Sequence, residues 1–263
     1  MVIHLSYETL LVSTEGNCTT ITLNRPQSMN ALNETLLQEL AHCLNVVSRD
    51  DSQQIVVLRG NNGVFSAGGD IKDMLLKEST EEEFSAIMSA ITDIVVTLYT
   101  MPKLTISLVE GAAAGLGLSL ALATDRLVAT PSTVLAMNFI GIGLIPDGGG
   151  HYFLAERLGP KKAQEMIWAG NKLTAQEAKE AGLVHEVVES VEEYLGATLK
   201  EWRRKPLLAM IKTKMIYASM NRDELLRVLQ MEKQGQWKMR LTDDHKEGVD
   251  AFLMKRYPKF EGK

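Results

Sequence analysis

Residues 103–150 constrain the fold more than any other part of the chain. Leu104-Thr-Ile-Ser-Leu-Val109 is an apolar run with β-branched residues, which predicts a buried strand. Gly111, Gly115 and Gly117 then interrupt a row of small residues, and Leu118 to Ala123 has helix-forming composition. A strand that passes through a Gly/Ala turn into a helix exposes unpaired N–H groups at the helix start, backed by the positive end of the helix dipole. Such a turn can hold negative charge developing on an oxygen without any side chain. It also arises where a helix simply lies close on a sheet. The stretch is neither a dinucleotide fingerprint nor a phosphate loop, because no G-x-G-x-x-G follows the strand and no Gly-Lys-Ser/Thr closes it. A second Gly-rich turn, within residues 57–70, also leaves a predicted strand. Two backbone donors from two loops are what an oxyanion hole for a thioester or ester carbonyl requires.

Around this centre the chain alternates strands and helices. Two alternating runs between Leu10 and Leu23, split by Glu15-Gly16-Asn17, predict a hairpin. Leu36, Leu37, Leu40, Leu44 and Val47 recur at helical spacing, and Gln54 to Leu58 reads as a buried strand. Glu81 to Glu83 give an acidic first turn to a helix carrying Ile87, Ile91, Ile94, Val95 and Leu98. Short strands follow at Arg126 to Ala129 and Val134 to Met137, which makes an α/β core. Past Gly150, Gly159, Gly170 and Gly182 punctuate short helices, with a strand-like run at Val184 to Val188. Pro206 opens one helix and Leu225 to Met239 forms another. The division expected is an α/β core over 1–190 and a helical C-terminal region over 191–263, with no linker. The stripe Met210, Met215, Leu225 and Met231 reads as packing, within the chain or against another subunit.

Composition excludes several classes. The net charge is −5 and no Lys/Arg-rich block appears, so nucleic acid is not an expected partner. The N-terminal residues lack a basic region followed by a long apolar core, and no apolar run approaches the ~20 residues that span a bilayer. Cys18 and Cys43 are the only cysteines, which fits a reducing compartment; a cytoplasmic location is expected. No His/Cys/Asp/Glu spacing suggests a metal site. Thr105-Ile-Ser107 has no histidine and acid arranged with it, which excludes a serine hydrolase.

Thr22-Leu-Asn-Arg-Pro26 with Asn30-Ala-Leu32, Phe65-Ser-Ala-Gly-Gly-Asp-Ile-Lys72 and Glu110-Gly-Ala-Ala-Ala-Gly115 resemble the crotonase (enoyl-CoA hydratase/isomerase) superfamily. Ile142-Gly-Leu-Ile-Pro-Asp-Gly-Gly-Gly150 and Ala178-Lys-Glu-Ala-Gly-Leu-Val184 extend the likeness, in the family's order, over essentially the whole chain. The resemblance implies a spiral core of ββα units and a helical C-terminal trimerisation region in a homotrimer or dimer of trimers. It implies an acyl-CoA thioester as substrate, with CoA carried by the substrate and no separate cofactor. The family's two oxyanion-hole N–H groups map onto Gly69 and Leu116. Its CoA-facing positions map onto Arg25, Ala67, Asp70, Ile71 and Lys72, with Lys255, Arg256 and Lys259 on the last helix as further cations. Ala67 is where relatives bind adenine through the backbone.

The family's activities differ in the side chains around the hole. Hydratases carry two glutamates, at positions occupied here by Ser119 and Phe139, and neither can hold water as a paired carboxylate would. The acidic residue present is Asp147, where the superfamily's isomerases carry one. Gly143-Leu-Ile-Pro-Asp-Gly-Gly-Gly150 is most similar to the phenylacetate-pathway ring-epoxide and 2,3-/3,4-enoyl-CoA isomerases. From the residues alone, Asp147 either caps the helix beginning near Gly149 or serves as a base. Helix-start donors favour its ionised form, whereas an apolar wall of Phe139, Ile140 and Ile145 raises its pKa. The expected activity is isomerisation by one Asp as proton shuttle. The alternatives are a 2-enoyl-CoA hydratase using Asp147 with His151, and a non-catalytic acyl-CoA-binding protein. The acyl tail is expected against Met88, Ile91 and Val95. Asp70 and Asp125 read mainly as loop-fixing residues, and His151 as a solvated or helix-starting histidine.

Overall fold

A computed structural model describes residues 6–72 and 80–263. The chain opens with the antiparallel hairpin β1 (Leu10–Glu15) and β2 (Cys18–Leu23), turning at Gly16. Helix α1 (Glu34–Ser48) follows, capped by Asn33, whose side chain accepts the Leu36 N–H. It leads to β3 (Ile55–Gly60). Helix α2 (Glu81–Thr100) starts from a capping box in which Thr80 and Glu83 satisfy each other's backbone N–H.

The spiral becomes visible from this point. Strand β4 (Leu104–Val109) enters the main sheet, β5 (Ala112–Ala114) a second, and α3 (Leu116–Leu122) returns the chain. The same circuit repeats with β6 (Arg126–Ala129) and β7 (Val134–Ala136), then α4 (Gly150–Leu158) and α5 (Pro160–Ala169). Strand β8 (Lys172–Thr174), α6 (Ala175–Ala181) and β9 (Glu186–Val187) close the core. The main sheet runs β1-β2-β3-β4-β6-β9 and is parallel beyond the hairpin; the small sheet runs β5-β7-β8. Each circuit thus places one strand in each layer. The reading of 112–114 as a bare turn missed β5, a run of three alanines too short and too plain to announce itself as a strand.

Alternate residues of the main sheet serve opposite faces, as the strand period of two requires. Val56 and Leu58 join the core under α1 and α2, while Ile55, Val57, Leu104, Ile106 and Leu108 face the other way onto Val191, Trp202 and Ile211. Those last residues belong to α7 (Val191–Trp202) and α8 (Leu207–Arg240); α9 (Asp243–Leu253) follows.

Helix α8 is one continuous element, where two helices were expected. Between Pro206 and Arg240 its only Gly or Pro is Gly235, so nothing breaks it near Leu225. Its expected stripe splits in use: Leu225 is fully buried and Met210 and Met215 pack on the second core, but Met231 is 64% exposed. Helix α2 also amends the sequence reading, since by length and composition it could cross a bilayer. Here its apolar side (Phe84, Met88, Ile91, Ile94, Val95, Leu98) is buried and it packs against α1 and α8.

Candidate active site

The site lies where the small sheet ends. Two isolated bridges, Leu32 with Gly69 and Ser66 with Ala113, bring residues 66–69 alongside β5. Leu32 N–H donates to Gly68 O at 2.8 Å and Leu32 O accepts the Asp70 N–H at 3.0 Å. Backbone alternation therefore turns the N–H of Gly69, between them, away from Leu32, and it makes no hydrogen bond among the described residues. Gly68 is at φ +96°, and a Cβ there would stand 2.7 Å from Ala114 O; only glycine lets the two turns approach this closely. From the other turn, Gly115 N–H donates to Ala136 O, and Leu116 is the first residue of α3. Its N–H has no acceptor within the helix. Gly69 and Leu116 both line one cavity of about 370 Å³.

Asp147 lines the same cavity and is 9% exposed. Its main chain is tied to α3, because Ser119 Oγ donates to Asp147 O at 2.7 Å. Gly148 touches the other donor's residue: a Cβ there would fall 2.5 Å from Leu116 Cδ1. Its carboxylate accepts from Gln236 Nε2 at Oδ2, 3.0 Å away, and Oδ1 is buried with no partner among the described residues. Burial above all, then the like charge of Glu232, pushes its pKa up to about 7, against smaller opposing pulls from Gln236 and from its own amide.

Asp147 is not the cap of α4. The N-cap is Gly149, which has no side chain to cap the helix. Glu232 of α8 takes that role, accepting the Gly149 N–H at 2.7 Å and the His151 N–H at 3.1 Å. Of the apolar wall expected around Asp147, Phe139 lines the cavity; Ile140 is 38% exposed. The remaining walls come from Phe84, Ile87 and Met88 of α2, from Ile142 and Leu144, and from Phe252 of α9. Ile91 and Val95, expected beside the acyl tail, belong to the core behind this wall.

The other positions carried over from the family separate into two groups. Ala67 and Ile71 line the cavity. Arg25 and Asp70 do not; they pair at 2.8 Å with side chains 14% and 12% exposed, and the Asp70 carboxylate also accepts the Lys72 N–H. Lys72 and Lys255 are exposed and outside the cavity lining. Lys255, Arg256 and Lys259 follow the last helix rather than lying on it, since α9 ends at Leu253, and Arg256 is held by Glu247. Asp125 fixes its loop, accepting from Thr105 N and Oγ and pairing with Lys214 at 2.9 Å. His151 opens α4 and its Nδ1 lies 2.8 Å from Glu232 Oε1; it does not line the cavity.

Glu232, Gln236 and Arg240 were not singled out from the sequence. They recur every four residues on α8, one polar stripe along one helix face, and that spacing was the available signal. Gln236 and Arg240 line the cavity, with the Arg240 guanidinium 5.4 Å from the Phe84 ring centroid. No cluster suited to a metal ion occurs among the described residues.

A two-layer ββα spiral with paired main-chain donors at the edge of its small sheet defines the crotonase architecture. The sequence pattern of the family described as enoyl-CoA hydratase/isomerase matches residues 13–263, and the chain belongs to that family. It is 47% identical over 94% of its length to a Bacillus subtilis protein, YhaR, whose name assigns it to the hydratase/isomerase family, covering 96% of that relative. It is 34% identical to the 1,2-epoxyphenylacetyl-CoA isomerase of Escherichia coli K12, covering 97% of this chain and 99% of the relative. A crystal structure of an enoyl-CoA hydratase from Mycobacterium avium subsp. paratuberculosis K-10 superposes with a TM-score of 0.88 at 28% identity, covering 97% of this chain and 100% of that one.

Proposed function

We propose that this enzyme is an enoyl-CoA isomerase in which Asp147 shuttles a proton beside an oxyanion hole formed by the N–H groups of Gly69 and Leu116. The thioester carbonyl accepts from both. Asp147 removes a proton from the carbon next to that carbonyl in a 3-enoyl-CoA; the dienolate is held by the hole, and the proton returns two carbons along, giving the 2-enoyl-CoA. One such donor contributes roughly 3 kcal/mol to lowering the barrier. A carboxyl group with a pKa near 7 is suited to both halves, since it must first take the proton and then release it.

The observation that carries this reading is the buried carboxylate of Asp147, the only one lining the cavity among the described residues, with Ser119 and Phe139 where a hydratase would place its two acids. Ser119 is fully buried and spends its hydroxyl on Asp147 O, while Phe139 presents an apolar ring. Neither leaves a second carboxylate to activate water. Relatives named isomerase and relatives named hydratase both match the chain, so the activity must be decided by this site. Exposed Leu208, Tyr217 and Met220 on α8 support assembly into a homotrimer or dimer of trimers through the C-terminal helices. The test is turnover of 3-enoyl-CoA by wild type and Asp147→Asn, with acyl-CoA binding followed by calorimetry. Binding should persist while turnover falls at least ~1,000-fold. Unchanged turnover would remove Asp147 from the mechanism.

A further inference from the structure

A carboxylate three residues before a helix would ordinarily receive the free amides of the helix start. At α4 those amides go elsewhere. Glu232, 2% exposed, takes the Gly149 and His151 N–H groups and lies 2.8 Å from His151 Nδ1. One turn further along the same face of α8, Gln236, 3% exposed, donates to Asp147 Oδ2 at 3.0 Å. We propose that Glu232 and Gln236 are positioning residues for the base: Gln236 fixes the orientation of the Asp147 carboxylate, and Glu232 keeps it basic by capping α4 in its place. The inference rests on Asp147 being the base of the proposed isomerase.

The chemistry follows from what each contact favours. Amide donors reaching a carboxylate stabilise its ionised form and weaken it as a base. Diverting them to Glu232 withholds that stabilisation from Asp147 and sets a negative charge nearby, which further favours proton uptake. Gln236 suits both states of the base. Its Nε2 now serves Oδ2, while its Oε1 is buried without a partner among the described residues. Turning the amide over would present Oε1 to a carboxyl O–H once Asp147 has taken its proton. A hydrocarbon or a second carboxylate at 236 could not serve both states. The charged and titratable groups around it among the described residues are Glu232 and Arg240 from α8, His151 from α4, and Lys172 of β8, which lines the same cavity. From α3 comes only the neutral Ser119, which binds the main-chain oxygen.

Two variants of nearly unchanged shape separate positioning from bulk stability. Glu232→Gln keeps an oxygen for the Gly149 N–H but removes the charge. Gln236→Met keeps the volume but removes the donor. The protonated Asp147 carboxyl band, assigned by its loss in Asp147→Asn, is titrated by infrared difference spectroscopy, and kcat and KM are measured with 3-enoyl-CoA. Glu232→Gln should lower the carboxyl pKa by about one unit and Gln236→Met should raise it, a pair of opposite shifts that loss of stability alone would not produce. Gln236→Met should also lower kcat about 10- to 100-fold with KM changed far less. Titrations unchanged, or moved in the same direction, would overturn the proposal even if isomerase activity is intact. Opposite shifts in a protein that cannot isomerise would instead sink the role of Asp147 as isomerase base and leave its positioning standing.

Discussion

Asp147→Asn should make the protein relatively more stable as pH rises, and the effect can be worked from the burial of this one group. In the unfolded chain an Asp titrates near 3.8, and in the fold burial and Glu232 move Asp147 to about 7. Between those values the folded state holds a proton that the unfolded state has lost. Stability conferred by this group is therefore fully present below the lower value and disappears as pH climbs through the upper one. At ~1.4 kcal/mol per pKa unit, the wild type should lose about 4 kcal/mol at this site between pH 4 and pH 8. Asparagine carries no charge at either pH and escapes that loss. Any fixed cost of placing an amide beside Gln236 offsets both ends equally, so the difference between variant and wild type should still change by about 4 kcal/mol across the range. Urea unfolding of both proteins at pH 4, 5, 6, 7 and 8, at one protein concentration, reads this directly. Stability curves that run parallel would refute the claim that Asp147 is a buried carboxylate ionised against its surroundings.

Three further outcomes follow from the same geometry. Gly148→Ala, at φ +62° and with a Cβ 2.5 Å from Leu116 Cδ1, should cost ~1–3 kcal/mol of stability by thermal melt and slow turnover by crowding Leu116, the residue proposed as the second oxyanion donor. Arg25→Met removes the 2.8 Å ion pair with the largely buried Asp70 and should destabilise by about 3 kcal/mol, with partial recovery on adding Asp70→Asn; an additive loss in the double variant would argue against coupling. The acid limb of kcat/KM for isomerisation should be governed by a group titrating near 7, rising with pH as Asp147 ionises, and this limb should vanish from the residual rate of Asp147→Asn.

Much of the fold was legible because local patterns agreed with tertiary demands. The five apolar residues picked out for α1 are all buried, and the acidic first turn of α2 does begin that helix. The elements that escaped were those made by contacts rather than by pattern. Strand β5 exists because Ser66 and Val134 line up beside three alanines, and β8 is three residues held by β7. At the site, the two Gly-rich turns and Asp147 could be read because glycine spacing and a carboxylate among glycines are local signals. Glu232 and Gln236 could not be read the same way, since they reach Asp147's loop from 85 and 89 residues away and only folding reveals what α8 lies against. For the same reason the sequence left open whether helix donors or burial would set the basicity of Asp147. The donors went to a carboxylate on another helix.

The central claim is a moved double bond without added water. Incubating the protein with 3-enoyl-CoA and, separately, 2-enoyl-CoA in deuterated water and identifying the products by mass tests it most directly. The account predicts isomeric enoyl-CoA carrying deuterium only at C2 and C4, with no gain of a water and no such product from Asp147→Asn. Conversion of 2-enoyl-CoA to a 3-hydroxyacyl-CoA as the dominant product would contradict it.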